Sequence, residues 1–308
     1  YYRVRSSAVR AVDGVTFDVK PREIFSIVGE SGCGKSTLAN AIIRLLEPPA
    51  YIASGEVMLK DVNLLELDDQ RINDFRWKEI SILPQSAMNA LNPVMKVYDQ
   101  IKDGVTAHEH RLPDNEIKKR VEFMANKLVL PSYTFKSYPC QLSGGMRQRS
   151  LLVLALILDP SLVIIDEPTS AVDVVTQRKI LEFLRMRRDE AGTSIILITH
   201  DVAVTAEIAD TMMVMYAGKV CEIGDVVNIF EDPFHPYTKA LIEAVPVLGV
   251  KSEVKGLSGL PPDLINPPSG CRFHPRCPDA IEVCRLEEPQ LKEVKPNHVV
   301  MCHLYRRD

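Results

Sequence analysis

The sequence predicts an α/β chain: a parallel core sheet with flanking helices, an antiparallel β subdomain and a helical insertion, followed by a small loop-rich C-terminal metal-binding module. Three observations predict it. Short apolar runs of strand type alternate with longer helical runs from Ile24 to Tyr216. A glycine loop, G-E-S-G-C-G-K-S-T at Gly29 to Thr37, stands between one such strand and one such helix. Beyond residue 232 prolines become frequent, and Cys271, Cys277, Cys284 and Cys302 cluster near the end. The expected division is 1–232 for the α/β domain, with the helical insertion at about 86–158, and 233–308 for the tail.

Along the chain, residues 1–28 read as strands, with a turn at Asp13-Gly14 inside the partly alternating run Val9 to Val19. Leu38 to Leu46 has helical periodicity and ends at Glu47-Pro48-Pro49. Ser54 to Leu67 reads as antiparallel strands around Lys60-Asp61, and Ile72 to Lys78 as a short helix. Ile80 to Leu83 is a buried-type strand. Helical patterns broken by Asn92-Pro93 and Leu112-Pro113 follow, then a helix from Met146 to Leu158. Leu162 to Ile165, Ser194 to Ile198 and Thr211 to Tyr216 read as strands, Val174 to Arg188 and Tyr237 to Ala244 as helices. The remaining tail carries too little apolar periodicity for a core, so a metal staple is expected there.

Composition narrows the function. A formal net charge of −4 gives no electrostatic case for nucleic-acid binding. The longest apolar run, Leu151 to Leu158, is far short of the ~20 residues of a membrane-spanning helix. No secretory signal is visible, and the start at Tyr1 reads as a chain lacking a few upstream residues.

The glycine loop is built for phosphate. Gly29, Gly34, Lys35 and Ser36 hold the spacing Gly-x4-Gly-Lys-Ser. Backbone N–H groups from Gly29 through Ser31, Gly32, Cys33 and Gly34 to Thr37 turn inward, and the helix N-terminus adds its dipole. Lys35 reaches the β- and γ-phosphates of ATP, and the Ser36 hydroxyl ligates Mg²⁺. A second apolar strand ends in Asp166-Glu167: Asp166 would stand near Mg²⁺, and Glu167 could act as general base on the attacking water.

Leu142-Ser143-Gly144-Gly145-Met146-Arg147-Gln148-Arg149, just ahead of that acidic strand, resembles the signature motif of ABC ATPases. The order of Gln85, signature, acidic strand, Ser170-Ala171-Val172-Asp173 and Thr199-His200 is also that family's. The resemblance covers residues 1–232. It implies that Gln85 contacts Mg²⁺ or the water, that His200 holds the γ-phosphate, and that an aromatic residue, Tyr2 in preference to Tyr1, stacks on adenine. It further implies that Ser143, Gly144, Gly145 and Asp173 serve in trans, at the nucleotide of a partner ATPase. Arg22 replaces the family's usual turn glycine, and Cys140 a common histidine.

His235-Pro236-Tyr237-Thr238-Lys239-Ala240-Leu241, the stretch Pro84 to Pro93, and Gly270 to Pro278 resemble the ATPases of dipeptide and oligopeptide importers. That resemblance implies two transmembrane permease subunits, a second ATPase of a different chain, an indirect link to a solute-binding protein, and a place on the cytoplasmic face of a prokaryotic membrane. Nickel or another small solute is the alternative cargo. A soluble ATPase of translation or DNA repair is disfavoured, since the chain has one cassette and no coiled coil. The spacing Cys271-x5-Cys277-x6-Cys284-x17-Cys302 suits a [4Fe–4S] cluster or tetrahedral Zn²⁺. The subfamily resemblance points to the cluster, with a structural role. His274, His298 and His303 read as surface residues.

Overall fold

A computed structural model describes residues 1–4, 7–85, 90–170, 172–245, 257 and 259–305. Ser86 to Asn89 and Ala171, which belong to quoted motifs, lie outside the described residues. The strands in chain order are β1 (Tyr2–Val4), β2 (Ser7–Val9), β3 (Ile24–Val28), β4 (Met58–Leu59), β5 (Val62–Asn63), β6 (Ile80–Leu83), β7 (Leu162–Asp166), β8 (Ser194–Thr199), β9 (Thr211–Tyr216), β10 (Lys219–Asp225), β11 (Lys292–Lys295) and β12 (His298–Val300). The helices are α1 (Lys35–Ile42), α2 (Asp69–Phe75), α3 (Val97–His108), α4 (Asp114–Lys127), α5 (Gly144–Leu156), α6 (Val174–Met186), α7 (Val202–Ile208), α8 (Val226–Glu231), α9 (Pro236–Glu243) and α10 (Val283–Leu286). Among the described residues no helix is long and apolar enough to cross a membrane.

The chain forms two compact units. One comprises Tyr1–Val19, Ile24–Glu56 and Leu197–Asp308, the other Lys20–Glu23 and Val57–Ile196. In the first unit the strand order is β11-β12-β10-β9-β3, with β3 and β9 parallel and the other neighbours antiparallel. Every residue of β3 is buried, as a continuous Ile-Phe-Ser-Ile-Val run covered on both faces requires. One core cluster joins Val28, Met212, Val214 and Tyr216 to Tyr237 and Phe273 of the tail. The tail therefore shares a core with the strands, contrary to the expectation of a coreless loop. Full burial of rings as large as Tyr237 and Phe273 stabilises by about 1.5–3 kcal/mol each.

One further expectation is corrected in this unit. Val9 to Val19 is not a strand beyond Val9, because its backbone is used elsewhere: Asp13 N–H donates 2.9 Å to the Gly218 carbonyl at a turn. The Asp13 carboxylate accepts from Tyr1 Oη at 2.7 Å and pairs with Lys219 and Arg272. The loop-rich tail also carries strands that the sequence reading did not include: β11 and β12 form a hairpin whose Val300 and Val299 pair with Glu222 and Ile223 of β10.

In the second unit β6 and β7 are parallel neighbours, with Leu83 opposite Ile165. The expected hairpin at Lys60-Asp61 is β4–β5. Asp68 starts α2 by accepting N–H bonds from Gln70 and Arg71. Helix α5 begins at Gly144, two residues before the expected start, with Ser143 as its cap. Arg22 adopts φ 59°, the left-handed turn conformation that glycine takes without strain. Its N–H donates 3.0 Å to Ser194 Oγ at the start of β8.

Candidate functional site

In the first unit the glycine loop emerges from buried β3 and closes onto α1. Two glycines are there for lack of space. A Cβ on Gly29 (φ 153°) would lie 2.2 Å from the Met215 carbonyl oxygen, and one on Gly34 (φ 105°) 2.0 Å from that of Ala11. The loop can approach those two backbone segments only without side chains. Lys35 is buried, and its ammonium donates to the carbonyls of Gly29 (2.7 Å) and Glu30 (2.9 Å). A positive charge thus sits within the loop, while Ser31 and Gly32 stand exposed at its mouth and Ser36 and Thr37 are half-buried. Tyr2 Oη lies 3.1 Å from Thr37 Oγ1, whereas Tyr1 is engaged with Asp13 and packs edge-on against Tyr51. Cys33 is buried, and burial pushes its thiol pKa up despite Lys35 beside it. A thiol held protonated suits a packing role. These residues fit a nucleoside triphosphate with Mg²⁺: a glycine cradle, a buried lysine and a hydroxyl at a helix N-terminus. His200 follows β8 directly and is exposed, between Thr199, whose Oγ1 accepts from Asp201 N–H (3.0 Å), and α7, which Asp201 caps.

The second unit carries the acids. Asp166 ends β7 and is buried. Glu167 follows with φ 54°. A left-handed glutamate costs about 1–2 kcal/mol and persists only where its surroundings hold it. They do so here: Gln148 Nε2 on α5 donates to the Glu167 carbonyl at 3.0 Å, and Ser170 Oγ donates to the same carbonyl at 3.0 Å. Gln85 and Glu167 each stand two residues beyond the opposed pair Leu83 and Ile165, at the same edge of two parallel strands. Ser143 is exposed and its Oγ accepts from Met146 N–H (3.3 Å), with Gly144 and Gly145 in the first turn of α5. Arg149 fixes that helix by donating to the carbonyls of Leu128 and Val129 at the end of α4. Asp173 caps α6, and its bonds from the Thr176 hydroxyl and N–H hold its carboxyl below the usual range.

The four tail cysteines are electrostatic neighbours. Burial pushes Cys277 up to about 11 and Cys302 up to about 12, and the other cysteines of the group reinforce both shifts. Among the described residues, no group of three or more His, Cys, Asp or Glu side chains is placed to hold a metal ion. The four-thiolate centre expected from the spacing is therefore not formed in this structure. His298, expected at the surface, is buried, and its Nε2 lies 2.7 Å from the buried Glu222 carboxylate. Three residues quoted within motifs but given no individual role also touch the candidate groups: Gln148 on Glu167, and Tyr237 and Arg276 on Glu30. No local spacing could have signalled the tail contacts, since their partners are more than 200 residues away.

Unit by unit, these are the parts of an ATP-driven cassette: a phosphate loop in the first, and an acidic strand end and a capped signature helix in the second. Residues 12–170 match the ABC transporter family, and residues 221–284 the oligopeptide/dipeptide transporter C-terminal region. The chain is 44% identical over 306 residues to the dipeptide transport ATP-binding protein DppD of Caldanaerobacter subterraneus, covering 99% of this chain and 94% of that one. It is 39% identical to the oligopeptide transport ATP-binding protein OppD of Bacillus subtilis, covering 100% of this chain and 87% of the relative. A solved dimer of the ATP-binding cassette MJ0796, bound to ADP and Pi, superposes with a TM-score of 0.67 at 27% identity, over 73% of this chain and 94% of that one. The chain belongs to the ABC transporter family, as one of its ATP-binding subunits.

Proposed function

We propose that this chain hydrolyses ATP to power an importer of dipeptides or oligopeptides, at the cytoplasmic face of a prokaryotic membrane. It would dock on two transmembrane permease subunits and pair with a second ATP-binding subunit of a different chain, the cargo arriving from a solute-binding protein. The observation that carries this reading is the match of its tail to the oligopeptide/dipeptide transporter region, on a chain whose relatives are named for dipeptide and oligopeptide transport.

In the proposed mechanism the loop from Gly29 to Thr37 holds the triphosphate, with Lys35 on the β- and γ-phosphates and Tyr2 against adenine. Ser36, Gln85 and Asp166 would hold Mg²⁺, which when bound offsets phosphate charge. Glu167 takes a proton from the attacking water, and His200 orients that water against the γ-phosphate. Ser143, Gly144 and Gly145 offer the α5 N-terminus to the nucleotide of the partner subunit, with Asp173 at the seam. That arrangement needs two chains, and the ATP-binding cassette MJ0796 is a dimer in its solved structure. A [4Fe–4S] cluster or Zn²⁺ at Cys271, Cys277, Cys284 and Cys302 rests on the cysteine pattern, with the resemblance favouring the cluster, and enters no step.

The test is Glu167→Gln in the assembled transporter. Turnover falls at least a hundredfold while Mg·ATP binding persists and ATP-bound dimers accumulate on size exclusion. Hydrolysis at the normal rate would remove Glu167 from the role of base.

A further inference from the structure

The C-terminal tail reaches the phosphate loop directly. Arg276 lies in the short segment between Cys271 and Cys277, with its side chain 6% exposed. Its guanidinium grips the carboxylate of Glu30, the second residue of the loop, in a bidentate fork: Nη1 to Oε2 at 2.7 Å and Nη2 to Oε1 at 2.9 Å. Nη1 also donates 3.3 Å to Tyr216 Oη, and the guanidinium lies over the Tyr216 ring. A second tail residue acts on the same loop position, because the Glu30 N–H donates 2.9 Å to the hydroxyl of Tyr237 in α9. Tyr237 is itself locked between Tyr216 and Phe273, ring centroids 4.7 and 5.3 Å away. The Glu30 carbonyl accepts from Lys35. Glu30 is thus held at its carboxylate and its N–H by the tail, and at its carbonyl by the loop's own lysine.

A carboxylate in a phosphate-binding loop is an electrostatic liability, since the ligand it borders carries up to four negative charges. Half-buried and unpaired, it would repel the triphosphate through a medium much less screening than water. A planar bidentate partner neutralises the charge and fixes its direction at once.

We propose that Arg276 is a positioning residue for nucleotide binding: by neutralising and anchoring Glu30, with Tyr237 holding the Glu30 N–H, the C-terminal tail sets the affinity of the phosphate loop for ATP. This rests on the reading of Gly29 to Thr37 as the nucleotide site, and Lys35→Ala is the separate check on that reading. The experiment is equilibrium binding of Mg·ATP, ADP and AMP to the full chain, with thermal unfolding recorded on each variant.

Arg276→Met weakens ATP binding about tenfold, ADP less and AMP least, because the uncovered Glu30 charge repels in proportion to ligand charge. Glu30→Gln in the Arg276→Met background restores ATP binding to within about threefold of the original. A purely structural role for Arg276 would weaken all three nucleotides alike and show no such rescue. Should Arg276→Met fail to fold, Arg276→Lys keeps the charge but loses the fork, and is expected to weaken ATP a few-fold with ADP again less affected. Unchanged ATP affinity in a folded Arg276 variant, equal losses for the three nucleotides, or no rescue by Glu30→Gln would each overturn the proposal. If Lys35→Ala binds ATP as tightly as the original chain, it is the loop assignment that falls, whatever Arg276 does.

Discussion

At the residue scale, the proposed base Glu167 stands on a strained backbone. Its left-handed backbone is expensive for a residue with a Cβ, and hydrogen bonds to its carbonyl from the Gln148 side chain and from the Ser170 hydroxyl and N–H keep it there. One comes from Gln148, inside the signature helix. Removing that donor lets the backbone relax toward ordinary φ and swings the carboxylate off its line. Gln148→Leu is therefore expected to lower kcat about tenfold while leaving KM for ATP within about twofold, since the lost contact holds the proposed base and is not among the groups proposed to bind nucleotide. Steady-state kinetics of the assembled transporter decide it, and a raised KM with unchanged kcat would place Gln148 in binding instead. Sequence spacing exposed Lys35, Asp166 and Glu167 because each follows a strand at a fixed offset. It assigned no individual contact to Gln148, Tyr237 or Arg276, whose partners stand 19, 207 and 246 residues away. Hydrogen bonds across such separations leave no periodic trace in the chain.

At the scale of elements, β10, β12 and α9 meet at a buried polar knot. Glu222 on β10 accepts N–H bonds from Phe234 (2.8 Å) and His235 (2.9 Å), and pairs with His298 of β12. His235 caps α9, its Nδ1 accepting from Tyr237 N–H at 3.0 Å. A nitrogen that accepts that bond is unprotonated, and burial, opposed only by Glu222, lowers the His235 pKa to about 4. The sign follows: the folded pKa lies below the ordinary value of about 6.5, so the unfolded chain binds the extra proton first as pH falls. Stability is complete above pH ~6.5 and declines down to pH ~4, with a slope approaching ~1.4 kcal/mol per pH unit from this one group. Thermal unfolding between pH 7 and 4 should show that decline, and His235→Asn, which keeps a capping acceptor without the titration, should flatten it. An identical pH profile in the variant would locate the acid sensitivity elsewhere. The His-Pro-Tyr tripeptide was legible as a helix start. The hairpin beside it was not, because Lys-Glu-Val-Lys in β11 offers one apolar residue among three charged ones, the pattern of an edge strand and equally of a loop. His298 was misread for the same reason: its burial comes from pairing with β10, which no neighbouring residue announces.

For the whole molecule, the outward-facing groups argue that one chain does not complete a site. Ser143 is exposed with the α5 N-terminus behind it. Asp173 is exposed, and Val174 and Val175 that follow it are 80% and 72% exposed. Two adjacent uncovered valines beside a candidate seam residue are costly in water and gain about 1 kcal/mol or more each when a partner covers them. Turnover should accordingly depend on association. The chain alone, dilute and shown to be monomeric, is expected to bind Mg·ATP but hydrolyse it at less than about a tenth of its rate in the assembled transporter. The rate should rise with the concentration of the second ATP-binding subunit and saturate. Val175→Glu should shift that saturation to about tenfold higher concentration, through a buried charge at the seam, with ATP affinity of the isolated chain unchanged. Analytical ultracentrifugation paired with phosphate-release assays separates the two quantities. Brisk turnover by a proven monomer, independent of concentration, would show that the loop from Gly29 to Thr37 completes its chemistry within one chain and would leave the α5 N-terminus without a nucleotide to meet.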